Sequence, residues 1–198
     1  MKGPSLFVPL WLLAMAACIP FPAFPQQEPF EAGVGIVYAE GHAFLLKAPE
    51  GWILDRESRG KTRREPVFYP VGFTAKDTPV LIWAGSQRAE PGGRGRIETL
   101  LEEKRRSLAP PLGSGAKSIR VAEWRVGKGL HADVFAFVSD PKEDSLLESM
   151  ACIRTAVSID YVVVKAKDES FYGRSLAAFA SIVKSYIPFQ GGTVYIPR

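Results

Sequence analysis

Two short, unbroken apolar runs constrain the fold of this chain more than any other feature. Val80–Ala84 reads VLIWA, and Val162–Val164 is a run of three valines. Continuous apolar runs of this length are typical of central strands that are buried on both faces of a sheet. The sequence therefore predicts a sheet that other elements cover on its two faces.

Two amphipathic segments predict the helices that cover this sheet. Apolar residues recur at helical spacing over Ile97–Leu108 and again over Ser170–Ile187. Prolines at 110–111 and at 188 are predicted to end them, and Asp168 or Ser170 can cap the start of the second. The apolar stripe predicted for the second helix comprises Tyr172, Leu176, Phe179, Ala180, Val183, Tyr186 and Ile187.

The remaining strand patterns follow one another with few helices between them, which indicates a mainly antiparallel sheet. Gly33–Tyr38 and His42–Ala48 are predicted to form a hairpin, because only a few residues separate the two apolar runs. The predicted fold class is α+β, a mainly antiparallel β-sheet sandwiched by α-helices. We expect this domain to occupy residues 33–190, with a C-terminal tail over residues 191–198.

The N-terminus predicts export. Lys2 precedes the uncharged apolar run Leu6–Ala17, a pattern typical of a secretory signal peptide. Leu12–Cys18 (LLAMAAC) resembles the lipobox of bacterial lipoproteins, in which cleavage before a cysteine is followed by attachment of lipid to it. The resemblance implies a signal peptide over residues 1–17 and lipid attachment at Cys18. Residues 18–32 are proline-rich and are predicted to be an extended linker.

Two alternatives for the N-terminus stay open. The first is ordinary secretion with cleavage after Ala16 or a little later, which would leave a soluble periplasmic or secreted protein. The second is an uncleaved transmembrane helix, although the apolar run is shorter than the roughly 20 residues that a bilayer needs. If Cys18 is lipidated or removed, Cys152 has no disulfide partner, and its apolar neighbours predict a buried thiol.

The sequence contains no recognisable constellation of catalytic residues and predicts no metal or cofactor. A net charge of +4 is too small and too dispersed to indicate nucleic-acid binding. Its two histidines, His42 and His131, lie in predicted strands. His131 and Asp133 share a strand face and would make half of a metal site, but zinc needs three or four ligands.

Basic residues cluster in two predicted loops. If both loops flank one end of the sheet, they form a patch that attracts anions. The alternative is a pair of ordinary solvated loops. The candidate anion- or partner-binding residues are Arg59, Lys61, Arg63, Arg64, Arg88, Arg94 and Arg96.

Three segments together resemble the PsbP-like family. Phe44–Trp52 (FLLKAPEGW) ends in the Pro-x-Gly-Trp turn of that family, and Val80–Ala84 matches a central strand. Tyr161–Tyr186 joins a valine-rich strand to a helix with a Phe, an Ile-Val pair and a final Ser-Tyr. The resemblance implies an α-β-α sandwich. That fold hosts photosystem accessory proteins, exported bacterial lipoproteins and a regulator of nuclear transport, so it does not decide the function.

These observations predict an exported, lipid-anchored accessory or binding domain of the cell envelope without catalytic activity. It would face the periplasm or the exterior and be attached to the membrane through lipidated Cys18. Its partner would be an envelope protein or an anionic surface. One alternative is a cell-envelope hydrolase with a site that the sequence does not reveal, and another is a photosynthetic accessory protein if the host is photosynthetic.

The lipobox resemblance generates the first testable prediction. The mature protein should partition into detergent, and Cys18→Ala should release it to the soluble fraction, because the lipid is attached to that sulfur. Intact-mass measurement of the mature N-terminus provides the check. An unmodified N-terminus at Ala17, or at any residue after Cys18, would contradict the prediction.

Overall fold

The fold is built on a long antiparallel sheet. A computed structural model of the protein describes residues 33–39, 42–55, 66–89, 96–112, 116–138 and 147–189. The strands are β1 (Val34–Ala39), β2 (His42–Lys47), β3 (Trp52–Asp55), β4 (Val67–Pro70), β5 (Val80–Arg88), β6 (Lys117–Arg125), β7 (His131–Val138), β8 (Leu147–Arg154), β9 (Ser158–Ala166) and β10 (Ile187–Phe189). The helices are α1 (Arg96–Leu112) and α2 (Glu169–Lys184).

The strands form two sheets in which every neighbouring pair is antiparallel. The larger sheet has seven strands in the order β3-β4-β5-β9-β8-β7-β6, and the smaller has the order β1-β2-β10. Strands β5 and β9, which contain the two apolar runs, pair along their whole length near the middle of the larger sheet. The prediction of central strands and of a mainly antiparallel sheet is therefore confirmed, as is the hairpin of β1 and β2.

Each face of the larger sheet packs against one helix. Alternate side chains of a strand point to opposite faces, so β9 contributes Val162 and Val164 to one face and Val163 to the other. The first face packs against Phe179, Ile182 and Val183 of α2 and also against the smaller sheet. The second face packs against Ile97, Leu100, Leu101 and Leu108 of α1.

Cys152 lies on the face that α1 covers and is almost fully buried. Burial raises the pKa of its thiol to about 12, and the charge of Asp133 adds to the effect. At neutral pH the group is therefore a protonated, unreactive thiol. The prediction of a small buried hydrophobe at this position is confirmed.

Helix α2 differs from its prediction at its end and on one side. Asp168 caps its start by accepting a hydrogen bond from the Phe171 backbone N–H at 2.9 Å, as predicted. The helix ends at Lys184 instead of Ile187, because the following residues pair with β2 as strand β10. Leu176, predicted on the buried stripe, is 40% exposed, since the buried face is centred on Phe179, Ile182 and Val183.

Two other boundaries differ from the sequence prediction. Helix α1 continues to Leu112, so the prolines at 110–111 fall in its last turn instead of ending it. The fixed φ of proline is compatible with a helical backbone, although each proline removes an N–H donor and its ring crowds the carbonyl four residues earlier. The apolar run Met150–Ile159 is divided by a turn at residues 155–157, where the Thr155 hydroxyl accepts hydrogen bonds from two following backbone N–H groups.

A tight reversal joins β6 to β7 through a 3₁₀ turn at Gly127–Gly129. Lys128 and Gly129 both have positive φ angles, of 57° and 76°. A Cβ atom on Gly127 would lie 2.2 Å from the Tyr186 carbonyl oxygen. Glycine at 127 therefore lets the reversal pack directly on the backbone that follows α2.

Several predictions fall on parts of the chain that the structure does not describe. The signal peptide over residues 1–17, Cys18, the linker and the tail over residues 191–198 lie outside the described residues. Both core clusters consist of residues between Val37 and Tyr186, within the compact unit Glu31–Arg198. Neither α1 nor α2 is long and apolar enough to cross a membrane.

The docking of α2 generates a stability prediction. Phe179→Ala should lower the free energy of unfolding by about 3–5 kcal/mol, because a fully buried aromatic side chain is lost from a packed core. Leu176→Ala on the same helix should change it by less than about 1 kcal/mol, since that side chain is partly in solvent. Urea unfolding of both variants measures the difference, and equal effects would show that this face of α2 does not pack as described.

Candidate functional site

A buried carboxylate, Asp160, collects hydrogen bonds from three parts of the fold. Ser86 on β5 donates its hydroxyl to Oδ1 at 2.6 Å, and His42 Nε2 on β2 lies 2.7 Å from the same oxygen. Tyr186, just after α2, donates its hydroxyl to Oδ2 at 2.6 Å. Asp160 is 0% exposed, so these three groups replace the water that a carboxylate would otherwise bind.

Strand register explains why these side chains meet. Ser86 and Asp160 are direct cross-strand partners on β5 and β9, so their side chains share one face of the larger sheet. The smaller sheet brings His42 onto that face, where Phe44 packs at 5.1 Å from the Tyr186 ring. Burial is the main cause that raises the pKa of Tyr186 well above its usual 10.0, and the charge of Asp160 adds to it.

The arrangement has the residue types of a Ser-His-Asp triad but not its order. In a triad the imidazole contacts the serine with one nitrogen and the aspartate with the other. Here Nε2 of His42 lies 3.1 Å from Ser86 Oγ and 2.7 Å from Asp160 Oδ1. One nitrogen of His42 therefore faces both groups, and Ser86 Oγ itself lies 2.6 Å from Asp160 Oδ1, so the imidazole does not stand between the serine and the aspartate as it does in a triad. The contacts join β2, β5 and β9 in a buried polar network.

The other face of the sheet carries a groove beneath α1. It has a volume of about 210 Å³, below the roughly 300 Å³ at which small-molecule pockets begin. The sheet lines it with Trp83, Met150, Tyr161 and Val163, and α1 contributes Leu100, Glu103, Lys104 and Ser107. The groove therefore offers a shallow aromatic surface rather than a deep enclosed site.

A buried ion pair lies beside this groove. Lys104 forms an ion pair with Glu148, whose side chain is 1% exposed, and its ammonium lies 5.0 Å from the centre of the Trp83 ring. The lysine stem spans from helix to sheet, so the pair fixes α1 over β8. Removing the ammonium of Lys104 would leave the buried charge of Glu148 uncompensated, which destabilises the fold. Lys104 therefore has a structural role.

Gly85 makes room for Tyr161, one of the aromatic residues that line the groove. It lies directly opposite Tyr161 in the pairing of β5 and β9. A Cβ atom at residue 85 would lie 2.4 Å from the Tyr161 hydroxyl oxygen. Glycine therefore lets the tyrosine ring lie across the backbone of β5.

The second histidine belongs to an exposed charged cluster on β6 and β7. His131 Nδ1 lies 2.8 Å from Glu123 Oε1, and Arg120 pairs with both Glu123 and Asp133. His131 and Asp133 are therefore each held by a charged neighbour, Glu123 and Arg120. Within the described residues, no group of three or more His, Cys, Asp or Glu side chains could hold a metal.

The predicted basic patch lies largely outside the described residues. This holds for Arg59, Lys61, Arg63, Arg64 and Arg94. Arg88 is exposed at the end of β5, and Arg96 is the first residue of α1. The patch therefore stays a prediction from the sequence.

Sequence reasoning missed both polar clusters of the interior. Ser86 and Asp160 are 74 residues apart, and His42 is 118 residues from Asp160, so no local spacing connects them. One signal was available: Asp160 is a lone acid directly before the apolar run Tyr161–Val164. An acidic residue inside a strand with apolar neighbours indicates a buried carboxylate that needs partners.

Comparison with known proteins gives likeness in structure but not in sequence. No protein-family model and no curated protein sequence matches the chain. The solution structure of the cyanobacterial PsbP protein CyanoP from Synechocystis sp. PCC 6803 is similar, with a TM-score of 0.49 and 10% identity over 80% of this chain and 94% of that one. The Ran-binding protein Mog1p of Saccharomyces cerevisiae is similar with a TM-score of 0.49 and 10% identity, over 79% and 96% of the two chains. We transfer no residue role from either protein.

The Asp160 network generates a stability prediction. Tyr186→Phe should lower the free energy of unfolding by about 1.5–3 kcal/mol, the usual contribution of a hydrogen bond to a charged group. Tyr38→Phe, at a tyrosine that is 46% exposed, should change it by less than about 0.5 kcal/mol. Urea unfolding at pH 7 compares the two variants.

The pH dependence gives a second readout for Tyr186. Its pKa is raised in the folded state, so its contribution to stability is complete below pH about 10 and is lost as the pH rises further. The free energy of unfolding of the wild type should therefore fall more steeply above pH 10 than that of Tyr186→Phe. Parallel profiles would contradict the buried contact with Asp160.

Proposed function

We propose that this protein is an exported, lipid-anchored accessory domain of the cell envelope, which binds a partner and has no catalytic activity. The anchor is Cys18, on the basis of the sequence LLAMAAC that ends at it. The domain is an α-β-α sandwich of the PsbP-like type. One helix on each face of the larger sheet supports that description.

One observation carries the proposed lack of catalysis. Among the described residues, Ser86, His42 and Asp160 come together, but a single nitrogen of His42 faces both Ser86 and Asp160, which differs from the order of a triad. The carboxylate is 0% exposed, so a substrate would have to displace core side chains to reach it. The polar groups at this point therefore support packing.

The proposed partner is an envelope protein or an anionic surface. Arginine suits phosphate and carboxylate groups because its guanidinium donates two parallel hydrogen bonds. The sequence concentrates Arg59, Lys61, Arg63 and Arg64 in one short segment, and Arg88 is exposed at the end of β5. Binding through these side chains should weaken as salt rises, because exposed charges are screened.

The second candidate function is a cell-envelope hydrolase, which the 3.1 Å approach of Ser86 Oγ to His42 Nε2 favours. A fluorophosphonate probe separates the two candidates, since it forms a covalent bond only with a serine that an adjacent base activates. We expect no adduct in the intact mass of the wild type, with a known serine hydrolase labelled in parallel. An adduct that is lost in both Ser86→Ala and His42→Ala would overturn the proposed lack of catalysis.

A further inference from the structure

The smaller sheet has an apolar outer face. Its register aligns Ile36 with Leu45 and Ile187 across the three strands, and Tyr38 with Ala43 and Phe189. These rows alternate with the row of Val37, Phe44 and Pro188, which points into the core. We call the surface formed by Ile36, Tyr38, Leu45, Ile187 and Phe189 the outer sheet face.

The outer sheet face is exposed although its residues are apolar. Tyr38 is 46% exposed, Ile187 48% and Phe189 43%. An antiparallel sheet with one face in water normally alternates apolar and polar residues, whereas β1 (VGIVYA) and β2 (HAFLLK) are apolar on both faces. Among the described residues of this face, the charged side chain is that of Lys47, which lies at one end of the face as the cross-strand neighbour of Val34. A contiguous apolar surface of this kind marks an interaction site.

The free edge of β10 is poorly suited to accept a further strand. The Ala48 N–H donates a hydrogen bond of 2.8 Å to the Gly33 carbonyl. In an antiparallel strand, successive residues direct their backbone N–H and C=O groups to opposite sides. Every second residue of β2 therefore bonds to β1, and the residues between them, including Lys47, direct these groups towards β10. The hydrogen bond from the Lys47 N–H to Ser185 Oγ agrees with this alternation. Ile187 and Phe189 therefore bond to β2, and Pro188 turns its nitrogen, which has no hydrogen, to the free edge. A partner on the β10 side of the smaller sheet must therefore cover the face instead of adding a strand.

The path of the chain favours a lipid surface as that partner. Strand β1 begins at Val34, and residues 19–33 separate it from the proposed anchor at Cys18. Fully extended, this segment spans at most roughly 50 Å, so the proposed anchor holds the start of β1 within that distance of the membrane. This step rests on the proposed function.

We propose that the outer sheet face docks on the lipid bilayer that holds Cys18. Ile36, Leu45, Ile187 and Phe189 contact the acyl boundary, and Tyr38, whose ring carries a hydroxyl group, lies at the level of the headgroups, where tyrosine is favoured. The contact is mainly apolar and is therefore insensitive to salt.

Vesicle binding by the chain from Glu31 to Arg198 tests this proposal, because that range holds both core clusters and lacks Cys18. It should float with phosphatidylcholine vesicles and with vesicles that also contain phosphatidylglycerol, at low and at high salt. Replacing Tyr38, Ile187 and Phe189 together by Ser should weaken binding about tenfold or more. A matched variant with Ile119, Val121 and Val138 of β6 and β7 replaced by Ser should bind like the wild type.

A label provides a measurement that does not depend on the folding of the triple variant. Cys152 is buried and unreactive, so Tyr38→Cys can be labelled selectively with an environment-sensitive fluorophore. Its emission should shift to the blue when phosphatidylcholine vesicles are added, and the same label at Val121→Cys should not respond.

Three results would overturn the proposal. The first is no binding to either vesicle, and the second is binding only to anionic vesicles that disappears at high salt, which would assign the contact to basic residues. The third is a concentration-dependent dimer, without vesicle binding, that the Tyr38, Ile187 and Phe189 variant abolishes, which would assign the face to a second copy. Because the protein tested lacks Cys18, failure of lipidation in the cell leaves these outcomes unaffected.

Discussion

The buried carboxylate of Asp160 is the interaction on which the arrangement of the fold depends. Its donors come from β5, from β2 and from the segment after α2, so one side chain joins both sheets to the end of the last helix. Removing a carboxylate from water costs several kcal/mol unless hydrogen bonds replace the water. The register of β5 and β9, the position of the smaller sheet and the end of α2 must therefore all be correct together.

The two faces of the larger sheet bury charge in different ways. The face under α2 surrounds Asp160 with two hydroxyl groups and an imidazole, and the face under α1 uses the ammonium of Lys104 beside Glu148. In both places the acid is held by groups that also connect separate elements. The surfaces left for a partner are the groove along Trp83 and Tyr161, the outer sheet face, and the basic segment predicted from the sequence.

Local patterns in the sequence predicted the parts of the fold that depend on local burial. The apolar runs Val80–Ala84 and Val162–Val164 identified the central strands, because both faces of those strands are covered. The Asp160 network was not predictable, since it depends on the register of strands far apart in sequence, and a shift of one residue would turn Ser86 to the other face. Leu176 was misassigned because helical spacing gives a periodicity but not the direction of the packed face.

The position of β10 beside β2 sets an order on folding. The central strand of the smaller sheet is made early in synthesis, but Asp160, which contacts His42 from 118 residues away, is made only with β9, and the partner strand β10 is made only after the last helix. Contacts of such long separation form slowly, because the loop between them must be closed first. His42 and Phe44 therefore gain these partners only late in synthesis, when β9 and β10 have been made. The residues that are made last complete the smaller sheet.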